Sequence, residues 1–251
     1  MSATPPQMQV LPLTRVVKAL MIINLVVWIL FQLIIEKYFL SENLITGLFA
    51  LSPQLVLQKY FIWQLGTYMF FHDAESVMHI IFNMLLLWWL GSELEQRWGS
   101  RFFLLYYLAT GVGAALIYVI GVLLYAIAVG SSTALMVPVV GASGALFGLM
   151  LAYGIIFGER IVHFMFLFPM KAKFFVLLLA GIEVLMILAG GFGGSRVANL
   201  AHLGGFISGF LFLWLWTRRQ KFMAVSQRGK ARALKLVVDN EKDPKGPKYW
   251  N

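Results

Sequence analysis

The sequence contains no cysteine, which excludes disulfides, thiolate metal sites and a cysteine nucleophile while leaving the redox compartment open. Charge is scarce as well. Only 12% of the 251 residues are Asp, Glu, Lys or Arg and 60% are hydrophobic, against roughly 25% and 45–50% in soluble domains. A soluble globular fold is thereby excluded in favour of a chain solvated by lipid. No internal repeat of fixed period is visible, so a solenoid is not expected. The first apolar stretch, about Ala19 to Ile35, is long enough to span and has no small-residue cleavage site after it, so it is expected to remain as an uncleaved anchor. The net charge of +9 does not indicate nucleic acid, because ten of the 20 Lys and Arg lie in residues 218–251, as a membrane-surface tail requires.

A bilayer core of about 30 Å takes about 20 apolar residues per helix. Six stretches qualify: about 17–37, 77–96, 102–124, 141–158, 173–191 and 197–217. The third and fourth share an uncharged run of 57 residues, Phe102 to Gly158, too long for one helix; Gly130, Ser131, Ser132 and Pro138 mark where it turns back. With a cytoplasmic N-terminus, seventeen Lys/Arg fall inside and three (Lys37, Lys59, Arg196) outside, or seven against three without the tail. Both termini are therefore expected inside. The expected organisation is a cytoplasmic segment (1–16), a six-span all-α bundle (17–217) and a basic tail (218–251), helical at first and then disordered. The one long outer connection, about 38–76, is aromatic and lightly charged, and reads as an interfacial, partly embedded element.

Polar side chains inside a membrane are rare and face the bundle interior. The second, fourth and sixth spans enter from the same side, and each carries its polar residues in its first turns: His79 and Asn83, then Ser143, then Asn199 and His202. At 1.5 Å per residue these can meet at one level in the outer half of the bilayer. Small-xxx-small faces allow close approach in lipid. Gly144 with Gly148 forms one such face, and Gly205 with Gly209 another, on roughly the side of His202. Pairing of the two faces would bring Ser143 toward His202. On this pattern alone a serine hydrolase, a set of packing residues and a small transporter all stay open, although a transporter would place its polar cavity nearer the midplane and carry an inverted repeat.

The motifs Gly141-Ala142-Ser143-Gly144, His79-x-x-x-Asn83 and Ala201-His202-Leu203-Gly204-Gly205, with Glu93-Leu94-Glu95-Gln96-Arg97-Trp98-Gly99 after the second span, resemble the rhomboid family of intramembrane serine proteases over nearly the whole membrane domain. The resemblance implies a Ser143–His202 dyad with no acidic third member, the imidazole being oriented by packing. It implies that Phe147, four residues after the serine and where a tyrosine is frequent, stacks on His202. The Asn83 amide, the His79 ring and the Ser143 backbone N–H are the implied oxyanion donors. Substrate access is implied between the second and fifth spans. Neither a metal nor an organic cofactor is called for, since side chains and water suffice. The expected partners are transmembrane protein substrates and the lipid bilayer, not nucleic acid, and the cysteine-free composition and short tail are expected to mark a prokaryotic cell membrane. A relative that had lost catalysis would lack the serine or histidine, and both are present.

Four other features have structural readings. Asn199 is expected to bond a neighbouring helix and His72 to brace the outer connection. Gln64 stands where some relatives have arginine after Trp63, so a lipid or loop contact made by that arginine is expected to be missing. Glu93, Glu95 and Arg97 are expected to form an ion-pair network, and Glu183, near the middle of the fifth span, to be protonated or paired; the sequence assigns it neither a partner nor a role.

Overall fold

The computed structural model describes residues 12–40, 43–164, 168–190 and 197–233; the first residues and the end of the basic tail, expected to be disordered, lie outside these. The long helix α1 (Arg15–Phe39) is followed by α2 (Leu44–Phe49), α3 (Pro53–Lys59) and α4 (Gln64–Thr67), then by α5 (Val77–Trp98), α6 (Ser100–Val129) and α7 (Ser143–Ile156). An antiparallel hairpin of β1 (Ile161–Phe164) and β2 (Phe168–Lys171) leads to α8 (Ala172–Gly190) and α9 (Val197–Ala233). Helices α1, α5, α6, α8 and α9 are long and apolar enough to cross a membrane, and side chains such as Ile22, Phe82, Leu124, Leu177 and Leu188 point outward as lipid solvation requires. The protein is a multi-pass helical membrane protein.

The fourth expected span departs from expectation. Helix α7 has 14 residues, about 21 Å at 1.5 Å per residue, well short of the ~30 Å core. The chain ahead of it is extended: the N–H of Val139 donates to the Leu51 carbonyl at 2.9 Å and that of Leu51 to the Val139 carbonyl at 3.0 Å. Backbone bonding to the connection thus keeps the chain extended almost up to the helix, and Ser143 begins it two residues after the expected start. Helix α6 runs past its expected end and stops at Gly130, whose φ of +69° ends a helix at low cost.

Helix α6 is central, with Phe103, Tyr106, Tyr107 and Tyr118 fully buried. The Tyr106 hydroxyl donates to the Gly148 carbonyl of α7 at 2.8 Å, and Tyr68 of the connection donates to the Gly111 carbonyl of α6 at 2.8 Å. Glycine meets glycine where α7 crosses α9. A Cβ at Gly205 would collide with the Gly144 carbonyl, and one at Gly209 would lie 3.2 Å from the Gly148 Cα. The two small-residue faces therefore pack on each other at backbone distance.

Carboxylates join the other ends. Glu95 of α5 accepts from the N–H groups of Val16 and Val17 at 3.0 Å and from the Thr14 hydroxyl, satisfying free donors of the first turn of α1. Glu93 pairs with Arg160 and accepts from the Tyr153 hydroxyl at 3.2 Å. Arg97 is in neither pair, so the expected Glu93–Glu95–Arg97 network is replaced by two separate ties. These set the start of α1 beside the ends of α5 and α7. Glu159, on the exposed turn, is held down to about 2 by the ammonium groups of Lys171 and Lys173.

The connection 38–76 is folded. Buried Gln64 accepts from the Ser52 N–H at 3.0 Å and donates to the carbonyls of Gly47 and Leu48 at 3.2 and 3.1 Å, so the glutamine makes loop contacts of its own. On the π-type stretch Val27–Glu36 of α1, Gln32 exchanges two hydrogen bonds with the His72 backbone at 3.0 and 2.7 Å, and Glu36 accepts from the Thr46 N–H at 2.8 Å. His72 thus braces the connection through its backbone. Its ring is fully buried, and burial, with His79 beside it, pushes it down to about 3 from the usual 6.5 against the opposing pull of the Phe70 backbone.

The contacts divide the chain into Met1–Phe212 and Leu213–Asn251. Within the second unit, the Arg218 guanidinium lies 3.9 Å from the Trp214 ring centre, a cation–π arrangement.

Two outcomes follow for stability. Gly205→Ala is expected to cost about 1–3 kcal/mol through overpacking, read as a lower melting temperature in detergent, whereas Gly181→Ala, which meets nothing within 4 Å, leaves it unchanged or raised. A folded state that keeps His72 neutral binds fewer protons than the unfolded chain between about pH 3 and 6.5. Stability from this source is complete above pH 6.5 and falls as the pH drops through that window, by about 2 kcal/mol at pH 5. Melting at pH 7.5 and 5 should show this loss in the parent and a smaller one in His72→Phe.

Candidate active site

Ser143 opens α7 two residues after Gly141, whose φ of +123° no side-chain-bearing residue readily adopts. The Gly141 N–H donates to the Tyr68 carbonyl at 3.0 Å. A Cβ on this glycine would lie 2.9 Å from His79 Nε2 and 3.6 Å from Ser143 Oγ. The absent side chain is what leaves room for the α5 histidine beside the α7 serine. At the first turn of α7, unpaired N–H groups and the helix field point toward the same place.

Helix α9 brings His202 to the other side of the serine. Its Nε2 lies 2.8 Å from Ser143 Oγ, within the range a nucleophile and its base require. The Phe147 ring stacks on the imidazole at 4.3 Å between centres and 10° between planes, and Phe206 meets Phe147 edge-on at 5.1 Å. Phenylalanine in place of tyrosine keeps the stacking surface. The glycine contact between α7 and α9 makes these distances attainable, since it lies one turn from the serine–histidine pair.

His79 and Asn83 share a face of α5, as their spacing predicts. The Asp73 N–H donates to His79 Nδ1 at 3.3 Å. In a neutral ring this assigns the proton to Nε2, the atom facing Gly141. The Asn83 amide donates to the His79 carbonyl at 2.7 Å and is buried, and an amide nitrogen carries a second N–H. Asn199 makes no side-chain hydrogen bond among the described residues, so its expected interhelical bond is not seen there.

One carboxylate was assigned no place here by the sequence. Glu183 Oε1 of α8 lies 3.0 Å from His202 Nδ1, with the glutamate side chain 13% and the histidine 21% exposed. The expectation of no acidic group beside the histidine is corrected: Glu183 is paired, and its partner is the imidazole. A signal was available. Glu183 is seven residues before the end of α8 and His202 five after the start of α9, so both lie about 8–10 Å from the same end of an antiparallel pair.

A cavity of about 660 Å³ lies between the connection and this cluster, with Gln32, Glu36, His72, Asp73, His79 and Ala198 among its walls. Its walls reach the site at His79 and do not include Ser143 or His202. Among the described residues no His, Asp and Glu cluster could hold a metal ion.

The family model described as Rhomboid domain matches residues 60–219. RHOMBOID-like protein 1 of Arabidopsis thaliana is 34% identical over 185 residues, 73% of this chain and 42% of the relative. Rhomboid protease GlpG of Serratia proteamaculans is 32% identical over 214 residues, 83% and 64% respectively, and rhomboid protease GluP of Bacillus subtilis 31% over 150, 59% and 25%. The chain thus spans less than two thirds of the length of each. The matched segment contains the connection from Tyr60 onward, the motifs around His79, Ser143 and His202, and the glycine faces between them, and the chain belongs to the rhomboid family.

Proposed function

We propose that this protein is an intramembrane serine endopeptidase that cleaves transmembrane segments of single-span membrane proteins, with Ser143 as nucleophile and His202 as general base. The observation that carries the reading is the 2.8 Å separation of Ser143 Oγ and His202 Nε2 inside a chain of apolar spans. The Serratia and Bacillus relatives both bear the name rhomboid protease, which supports the reaction class.

In the proposed reaction, Ser143 Oγ attacks the scissile carbonyl carbon as its proton passes to His202 Nε2, and the carbonyl electron pair moves onto oxygen. The imidazolium then gives that proton to the departing amine as the C–N bond breaks, leaving an ester on Ser143. Water, deprotonated by the same histidine, cleaves the ester. The oxyanion is held by the His79 Nε2–H, the Asn83 amide and the Ser143 backbone N–H. Donors of this kind act strongly in a dry site because they are aimed before charge develops. Phe147 fixes the plane of the base, and Gly141 keeps the oxyanion side open.

A helical substrate hides its carbonyls in its own hydrogen bonds, so cleavage needs local unwinding, favoured by helix-weakening residues. The distribution of positive charge supports both termini inside and the cluster near the outer side. Residues 1–16 and 218–251 then flank a membrane domain, 17–217, on the inner side, and substrates approach between α5 and α8. The plant relatives weigh against reading the composition as a prokaryotic mark, so the proposed location is a multi-pass place in a cell membrane.

Ser143→Ala and His202→Ala are each expected to reduce cleavage of a model single-span substrate to background with the fold retained; full activity in either would refute the assignment. Asn83→Ala should lower kcat by about 10²–10³. Phe147→Ala should lower it by about 2–10-fold, the worth of one aromatic stack, in the same gel-based cleavage assay.

A further inference from the structure

The proposed dyad leaves one feature unexplained. A carboxylate in the middle of an apolar spanning helix is costly and persists only with a partner. In α8, between Lys173 and Gly190, Glu183 is the only charged residue. Its Oε1 lies 3.0 Å from His202 Nδ1, while Oε2 is buried without a hydrogen-bond partner. The opposite ring nitrogen faces Ser143 Oγ at 2.8 Å. Serine, imidazole and carboxylate therefore form a continuous line across three helices, α7, α9 and α8. The stack of Phe147 fixes the plane of the ring but not its rotation within that plane, and packing alone does not select which nitrogen carries the proton.

We propose that Glu183 is the positioning residue of this site: its carboxylate accepts the Nδ1–H of His202, selecting the tautomer whose Nε2 can take the proton of Ser143. The inference rests on the serine–histidine reading and adds a third member to it. When Ser143 attacks, its proton moves to Nε2 and the ring becomes cationic beside Glu183. The proton then leaves from Nε2 to the amine. Glu183 takes no proton in either step; it orients the ring and faces its transient positive charge. An apolar residue there would allow the other tautomer, with the proton on Nε2, where the ring can accept nothing from the serine. A glutamine could impose that tautomer by donating to Nδ1.

The alternative is a tether between α8 and α9 with no part in the chemistry, and the two separate in kinetics. The full chain is reconstituted in liposomes with a fluorogenic single-span substrate, and kcat and KM are determined for the parent, Glu183→Gln, Glu183→Met and Ser143→Ala. The rate of Ser143 labelling by a fluorophosphonate and the melting temperature are measured alongside. Glu183→Met keeps the length of the side chain and suits lipid, so it should fold with an unchanged or higher melting temperature even if Glu183→Gln does not. Expected are a fall in kcat of about a hundredfold, KM within about twofold and a parallel fall in labelling rate. A folded Glu183→Met with kcat within about twofold of the parent overturns the inference, as does a rise in KM with kcat unchanged. Ser143→Ala distinguishes the two levels. If it is inactive while Glu183→Met is active, only the role of Glu183 falls; if it is active, the serine reading falls and takes this inference with it.

Discussion

Where α7 crosses α9, two glycine pairs let the backbones touch: Gly144 against Gly205, and Gly148 against Gly209. Lipid offers no hydrophobic force to drive helices together, so association in a membrane depends on close packing and on hydrogen bonds between spans. The glycine contact supplies the first, and the Tyr106 hydroxyl of α6, which donates to the Gly148 carbonyl at the same crossing, supplies the second. A side chain at Gly205 would run into the Gly144 carbonyl, so the two helices would have to move apart there. The 2.8 Å approach of His202 to Ser143 thus depends on atoms that are missing from the chain one turn away.

The rest of the molecule sets α7 in depth. The extended segment bonded to Leu51 delays the helix until Ser143, so the serine lies at a helix N-terminus inside the body. The connection that provides Leu51 is itself clipped to α1 by Gln32 and Glu36, and it provides the Asp73 N–H that orients His79. Polar residues of the first span therefore act on the site at one remove. Burying Gln32 and Glu36 is affordable only because each meets backbone groups of the connection that would otherwise be unpaired in an apolar setting.

The pairing of Glu183 with His202 changes the character of the site from two polar groups in lipid to three in series. A histidine stacked on Phe147 and bonded at both nitrogens has little rotational freedom left, and the ordering is achieved during folding, before any substrate arrives. Helix α8 is bound to the site by that carboxylate as well as by packing. Its outward face, with Phe174, Leu177, Leu185 and Leu188 exposed, carries nothing polar that would hold it elsewhere.

Composition and the lengths of the apolar runs made the membrane class and the positions of the long helices legible, because a span has to hide its backbone from lipid and does so with a run of about 20 apolar residues. The pairing of Ser143 with His202 was legible too, since depth follows from residue count along a helix and small faces can be counted in fours. Three features were not. The shortness of α7 depends on a backbone bridge to Leu51, 88 positions away, which leaves no local trace. Gln64 was read by what it replaced, yet its three hydrogen bonds go to carbonyls and an N–H that only folding of the connection assembles. Glu183 stood at a depth matching His202, but depth names a level and not a direction. The rotation of α8 about its own axis, set by packing against its neighbours, is what turned that carboxylate to the imidazole and away from lipid.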